Sequence, residues 1–445
     1  FLGAATSFRA ILESGEQIPS LDLPDITGYY PALSKEGTFL EPVECAHIAR
    51  FITSALTLKG FFTGKTTDPL LLSCAREIHD LSGLAREINR VCDKEGKVKD
   101  DKIPELRDVK KRISSLKSDV ASLIKKYLNN PSYTTYFQSD IPTIRDGRAV
   151  LSVKANFKGR IKGIVHEVSS SGSTIFLEPN DVVEKNNSIK RAEHAYHQEL
   201  IRILKKLTAT IAQSLDVLKI IEERVSLADT IYARARYALL HDCHPALYSP
   251  GKVSITEARH PLLGKKVVPI SVHMGDIARV LIITGPNTGG KTVSLKTVGI
   301  LVLMNQFGME IPAEEESSLP VFDSVFADIG DEQSLEQSLS TFSGHIANLV
   351  HIIKKSTPRS LILLDELGAG TDPEEGVAIA MALLDHFIDK KCMVLASTHH
   401  GILKNYGYTR DFVQNASMEF DLASLSPLYR IMIGAPGESY ALVIA

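Results

Sequence analysis

The sequence is short of several things. It has no apolar run of 18 or more residues and no signal peptide, so no segment reads as a membrane-crossing helix. It has little net charge: 50 Lys and Arg against 53 Asp and Glu leave −3. No chain-wide positive field therefore marks a nucleic-acid partner, and any such contact must come from a local patch. Cysteine is sparse. Cys45, Cys74, Cys92, Cys243 and Cys392 are scattered, with no CxxC or Cys/His spacing to suggest zinc. That odd count points to a reducing, cytoplasmic setting.

What is present is an ordinary balance of 44% hydrophobic and 23% charged residues over 445 positions. That is enough for two or three domains with a sizeable core. The chain opens on Phe1 rather than methionine and stops on "ALVIA", an apolar run that reads as a strand with no exit. Both features predict a piece of a longer protein.

The first half reads as helical, with one interruption. Residues 105–129 carry Leu106, Val109, Ile113, Leu116, Val120, Leu123 and Tyr127 at spacings that alternate between three and four. This is a coiled-coil-like seam, opened by Pro104 and closed by "NNP". From Val183 to His241 there is neither Gly nor Pro, and Leu200, Leu204, Leu207, Ile211, Leu215, Leu218 and Val225 form a stripe. One unbroken helix of that length would reach roughly 85 Å, so a break is expected within long lever-like arms. Ordinary helix-bundle core is the plainer explanation of the individual residues. Between the two regions, residues 149–179 are rich in β-formers, Gly and Ser and predict a small β-structure. Arg148, Lys154, Lys158, Arg160 and Lys162 fall in a stretch with no acid, around Phe157. A nucleic-acid patch and a solvated hairpin both fit. The resulting division is a helical region over 1–140, a β-rich insertion over 141–182, lever helices over 183–250 and an α/β domain over 251–445.

In the second half, strand-like runs at 278–285, 324–330, 360–366 and 392–398 alternate with helical stretches, which predicts a parallel sheet covered on both faces. The first run enters "GPNTGGKT". Gly285, Pro286, Asn287, Thr288, Gly289, Gly290, Lys291 and Thr292 fit G-x-x-x-x-G-K-[ST] between a strand and a helix. Loop amides and the helix N-terminus would cradle phosphates, Lys291 would neutralise the β- and γ-phosphates of ATP, and Thr292 would reach Mg²⁺. The third run ends in Asp365 and Glu366. Asp365 suits Mg²⁺ through water and Glu366 the polarising of an attacking water, although an Asp there can also cap a helix. The fourth ends at His399 and His400. His399 is the candidate γ-phosphate sensor, and His400 fits either reading. In "SLSTFSGHIANL", Ser340, Thr341, Ser343 and Gly344 open a helix with amides and hydroxyls for an anion. A chain that already has one phosphate loop would use this second site across a dimer, with simple N-capping as the alternative.

Together "TGPNTGGKT", "STFSGH", "LLDELGAGTDPEEG" and "STHH" resemble the ATPase of the MutS family, and more narrowly its second bacterial branch, type-two MutS. The segments "TIRDGRAVLSVKANFKGRIKGIVHEVSSSGSTIFLEP", "ITEARHPLL" and "YRIMIGAPGESYA" resemble that branch's lever-and-core region, ATPase entry and ATPase exit. The likeness is strong from about 140 to 445 and loose before that. It implies helical arms with a clamp-like β insertion joined to an ABC-type ATPase. It also implies a homodimer with composite ATP sites, in which Ser340, Thr341, Ser343 and Gly344 meet the partner's γ-phosphate. Asn287 and His399 join Glu366 in the catalytic set, and Val267 packs on adenine. Around 267–271 the chain departs from the family with "VVPIS". The C-terminal small MutS-related nuclease domain and the N-terminal mismatch-reading domains are expected to lie outside this chain. Three functions follow: an ATP-gated clamp on branched or mismatched DNA that restrains recombination, a ribosome-collision factor, or a structural dimeriser of the SMC/ABC kind.

Overall fold

The computed structural model describes residues 1–264, 267–275, 277–286, 289–330, 338–369, 371–421 and 426–434. Asn287, Thr288 and the closing "ALVIA" lie outside them. The chain divides into two compact units, one of Pro19–Phe61 and Ala75–Val225, the other of Phe1–Ile18, Phe62–Cys74 and Ser226–Ala445.

In the first unit the Pro104–Leu128 helix packs on the Asn180–Ala212 helix. A four-stranded sheet lies beside them, made of β1 (Thr143–Arg145), β2 (Arg148–Lys154), β3 (Gly163–Val168) and β4 (Thr174–Pro179). Its order is β1-β2-β4-β3, antiparallel throughout. Val120, Ile124 and Leu128 join Leu151, Val153, Leu177 and Ile189 in one core. The expected seam faces inward: Leu106 and Val120 are buried, Val109, Ile113, Leu116, Leu123 and Tyr127 half-buried, and Ile124 and Leu128 widen the buried stripe at the helix's C-terminal end. The expected break in the lever falls at Gln213 and Ser214, where a second helix, Leu215–His241, begins.

Among the described residues the second unit holds ten strands: β5 (Leu247–Tyr248), β6 (Val253–Ala258), β7 (Ile270–Met274), β8 (Ala278–Thr284), β9 (Ser318–Leu319), β10 (Ser324–Asp328), β11 (Ser360–Leu364), β12 (Met393–Ser397), β13 (Phe412–Asp421) and β14 (Ser426–Ile433). A six-stranded sheet has the order β10-β11-β12-β8-β13-β14, parallel except for β14. A smaller sheet has the order β5-β9-β6-β7.

Apolar runs make β8, β11 and β12 buried on both faces. The Lys291–Gln306 helix covers one face through Leu295, Val298 and Leu301. The Ser338–Lys355 and Pro373–Asp389 helices cover the other through Leu349, Ile352, Val377 and Leu384. This is the mixed α/β architecture expected of the second half. The chain leaves β8, β10, β11 and β12 on one sheet edge, their carboxyl ends, where open α/β sheets bind ligands.

Candidate functional site

The glycine-rich loop leaves β8 at Gly285 and enters a helix at Lys291. The Gly289 N–H donates to the Pro286 carbonyl at 3.0 Å. Gly290 has φ of 91°, a left-handed conformation that favours glycine. A Cβ there would stand 3.0 Å from the Tyr429 ring, and one on Gly289 would stand 3.2 Å from Met418. The loop backbone is therefore pressed onto β13 and β14. Lys291 is only 3% exposed, and its ammonium donates to Gly285 O at 2.6 Å. Burial pushes it below the usual lysine range, while Glu366 and Asp365 act in the opposite sense. Thr292 follows, half-buried.

The acids come from the turn after β11. The Asp365 N–H donates to Asp328 O at 2.9 Å. The Ser397 hydroxyl, on the neighbouring strand, donates to the Asp365 carboxylate and accepts the Glu366 N–H at 2.9 Å. Glu366 sits at φ of 49°, a strained conformation for a residue with a side chain, of the kind that concentrates at working sites. The next turn is tight: a Cβ on Gly376 would meet Gly368 O at 2.1 Å. Asp372 caps the Pro373–Asp389 helix, accepting from the N–H of Glu374 at 3.0 Å, so the capping role belongs there and not to Asp365.

After β12, the Thr398 N–H donates to Ile283 O at 3.1 Å and its hydroxyl to Leu367 O at 3.2 Å, which joins the three strand ends. His399 is exposed at that edge. The His400 ring is tilted against it, with centroids 4.3 Å apart, and its Nε2 lies 3.2 Å from Gly368 O, so the acid turn engages His400.

Beside the loop is a cavity of about 250 Å³ lined by Val267, Ile270, Gly290, Val293, Thr297 and Tyr429 among others. The hydroxyl of Thr297 is committed to Val293 O at 2.7 Å and that of Ser294 to Gly290 O at 2.9 Å, leaving largely apolar walls. Val267 and Gly290 of the loop line the same cavity. Tyr429 was not legible as a site residue, because only the pairing of β14 beside β13 brings it to Gly290.

Ser340, Thr341, Ser343 and Gly344 lie in the first turns of the Ser338–Lys355 helix. The side chains of the three hydroxyl residues lie outside the described structure. The basic stretch is in the other unit. Lys158, Arg160 and Lys162 are exposed, and Lys154 donates to Thr135 O at 3.2 Å. Phe157 is not free among them: its ring stacks on Tyr136 at 4.5 Å. Arg148 is held by Glu178 at 2.9 Å and Asn187 at 2.6 Å.

Among the described residues no group of three or more His, Cys, Asp or Glu is placed to hold a metal, and no helix is long and apolar enough to cross a membrane. Thr292 and Asp365 offer hard oxygen donors beside a phosphate-type loop. That set fits Mg²⁺, which is bound through one or two carboxylates plus substrate phosphates.

The MutS domain V family model matches residues 281–445, from β8 to the end of the chain. The Endonuclease MutS2 of Pelotomaculum thermopropionicum is 45% identical over 412 residues, 92% of this chain and 52% of that protein. Endonuclease MutS2 of Bacillus velezensis is 43% identical over 415 residues, 92% and 53%. That of Symbiobacterium thermophilum is 41% identical over 438 residues, 98% and 55%. The chain spans about half the length of these curated relatives. A domain V match beginning on the loop's own strand, with such identity across both halves, means that the chain belongs to the MutS family, in its MutS2 branch.

Proposed function

We propose that this chain is the ATP-hydrolysing part of a MutS-type homodimeric clamp in the cytoplasm, acting on branched or mismatched DNA and restraining homologous recombination. The observation that carries the reading is Ser397, which holds Asp365 and Glu366 together, both near enough to act on the charge of the buried Lys291. The loop from Gly285 to Thr292, with Asn287 and Thr288, cradles the triphosphate, and Lys291 turns its ammonium to the β- and γ-oxygens. The base lies in the cavity between Val267 and Tyr429. Mg²⁺, held by Thr292 and Asp365, would neutralise phosphate charge. Glu366 accepts a hydrogen bond from the attacking water, and His399 reports the γ-phosphate to the end of β12. Ser340, Thr341, Ser343 and Gly344 close the partner subunit's site. The exposed Lys158, Arg160 and Lys162, with Lys154, supply the phosphate contacts to nucleic acid. The relatives' names indicate endonucleases. That activity is assigned to the full-length protein and to no residue of this chain.

The test is Glu366→Gln. Turnover should fall about 10²–10⁴-fold, the contribution typical of a general base, while ATP binding persists and stabilises the dimer. The trapped variant, drawn from lysate, should bring branched DNA with it. Ribosomes in its place would favour the collision-factor reading, and neither cargo would favour a structural dimeriser. Wild-type turnover would remove Glu366 from its role.

A further inference from the structure

Asp328 ends β10 and faces two ways. Its main-chain oxygen accepts the N–H of Asp365 at 2.9 Å. Its side chain, 12% exposed, turns to the Ser338–Lys355 helix. There it accepts from Asn348 Nδ2 at 2.9 Å and meets His345 Nδ1 at 3.1 Å. Asn348 also donates to Ala327 O at 3.1 Å. A Cβ on Gly330 would lie 3.0 Å from the His345 ring, and Phe326 meets the His351 ring edge-on at 6.3 Å. Residues 345, 348 and 351 recur every three positions and share one helix face. That face therefore runs along β10, with Asp328 as its polar anchor. The same helix opens with Ser340, Thr341, Ser343 and Gly344, one to five residues before His345.

We propose that Asp328 is a positioning residue that ties the anion-binding start of this helix to the acid turn of the same subunit. The face a subunit offers to its partner's nucleotide is thereby set by the position of its own Asp365. This rests on the composite-site reading above. Asp328 has no part in the chemistry itself, because its carboxylate is engaged by His345 and Asn348. A carboxylate paired with two donors on one helix fixes that helix in rotation and in height. The main-chain bond to Asp365 belongs to the backbone and survives any side-chain change, so the two links can be separated by mutation.

In Asp328→Ala, affinity for a non-hydrolysable ATP analogue should stay within about twofold of wild type, because the subunit's own loop is untouched. Turnover of the homodimer should fall about 10–100-fold, as when an outer positioning partner is lost. The deciding measurement is complementation. Asp328→Ala is co-expressed with Lys291→Ala under two tags, and the mixed dimer is purified. Its Asp328→Ala subunit keeps a working nucleotide site, closed by the intact helix of the Lys291→Ala subunit. Turnover should return to about half of wild type, one working site of two. A variant that is merely misfolded would not recover in this way.

A second route removes the helix side of the anchor with His345→Ala and Asn348→Ala together, and it should behave alike if Asp328→Ala fails to fold. A Ser343→Ala and Lys291→Ala pair serves as the reference. Recovery in the reference but not with Asp328→Ala or the helix-side variant overturns this proposal alone, as does unreduced turnover in the Asp328→Ala homodimer. No recovery in either pair, or no mixed dimer, overturns the composite-site reading and the proposal with it.

Discussion

The hydroxyl of Ser397 donates to the carboxylate of Asp365 from the neighbouring strand. The same oxygen accepts the Glu366 N–H, so one small residue orients both acids. Ser397→Ala should lower ATP turnover about 10–100-fold and raise the Mg²⁺ concentration needed for half-maximal rate, because outer partners of metal-binding carboxylates typically matter on that scale. Nucleotide binding without Mg²⁺ should be unchanged. Steady-state turnover across a Mg²⁺ titration checks this. A wild-type curve would mean that the hydroxyl does not orient Asp365.

The burial of Lys291 works against stability at neutral pH. Burial depresses its ammonium, and Glu366 and Asp365 only partly oppose that. The unfolded chain therefore holds this proton more tightly than the folded one. Stability attributable to this group rises with pH through the alkaline window between the two values, and at neutral pH the buried charge is destabilising. Lys291→Met should lose ATP binding yet melt at or above the wild-type temperature, by about 1–4 °C. Thermal melts with and without Mg²⁺-ATP separate the two effects: wild type gains stability with the nucleotide and the variant does not. A variant that melts well below wild type would contradict the sign.

Much of the second unit was legible because its signals are local. β8, β11 and β12 are apolar runs that close on Gly285, Asp365 and Thr398, β10 closes on Asp328, and each of the four begins and ends within two residues of its expected run. The loop, the acids and His399 followed from those strand ends. What escaped depends on contacts distant in sequence. Asp328 gains its role from residues 17 and 20 positions later. Tyr429 becomes a cavity wall only through β14, whose exposed Tyr, Arg and Met give no buried-strand pattern. Phe157, placed in sequence among lysines, was taken from them by Tyr136.

Glu178 ties the β insertion to the Asn180–Ala212 helix. It is fully buried, and accepts from Arg148 at 2.9 Å and Asn186 at 2.7 Å, with His166 Nε2 at 2.6 Å. Burial alone would raise its carboxyl, but the bonds from Asn186, His166 and Arg148 outweigh that and hold it below the usual range. A depressed carboxyl stabilises fully above its unfolded value, near 4.5, and loses that contribution as pH falls through the folded value. Glu178→Gln should cost about 2–3 kcal/mol at pH 7, since Arg148 is left without its counter-charge. The gap between variant and wild type should narrow below pH ~4.5, as wild type protonates. Urea unfolding at both pH values measures it. A gap independent of pH would assign the loss to packing alone.

The basic strip is tested by salt. Lys158, Arg160 and Lys162 project into solvent, and Lys154 is fastened to Thr135 O. With three free cations, log Kd for branched DNA should depend on log salt with a slope of about 3, at roughly 0.9 per phosphate neutralised. Each single change to Ala at 158, 160 or 162 should reduce that slope by about one. Lys154→Ala should change it less, because its ammonium is already engaged. Changing all four to Glu should abolish binding while leaving DNA-free ATP turnover intact. Ribosome binding measured in parallel shows which cargo the strip serves. Retained affinity for both DNA and ribosomes, with an unaltered slope, would return these four residues to an ordinary solvated hairpin.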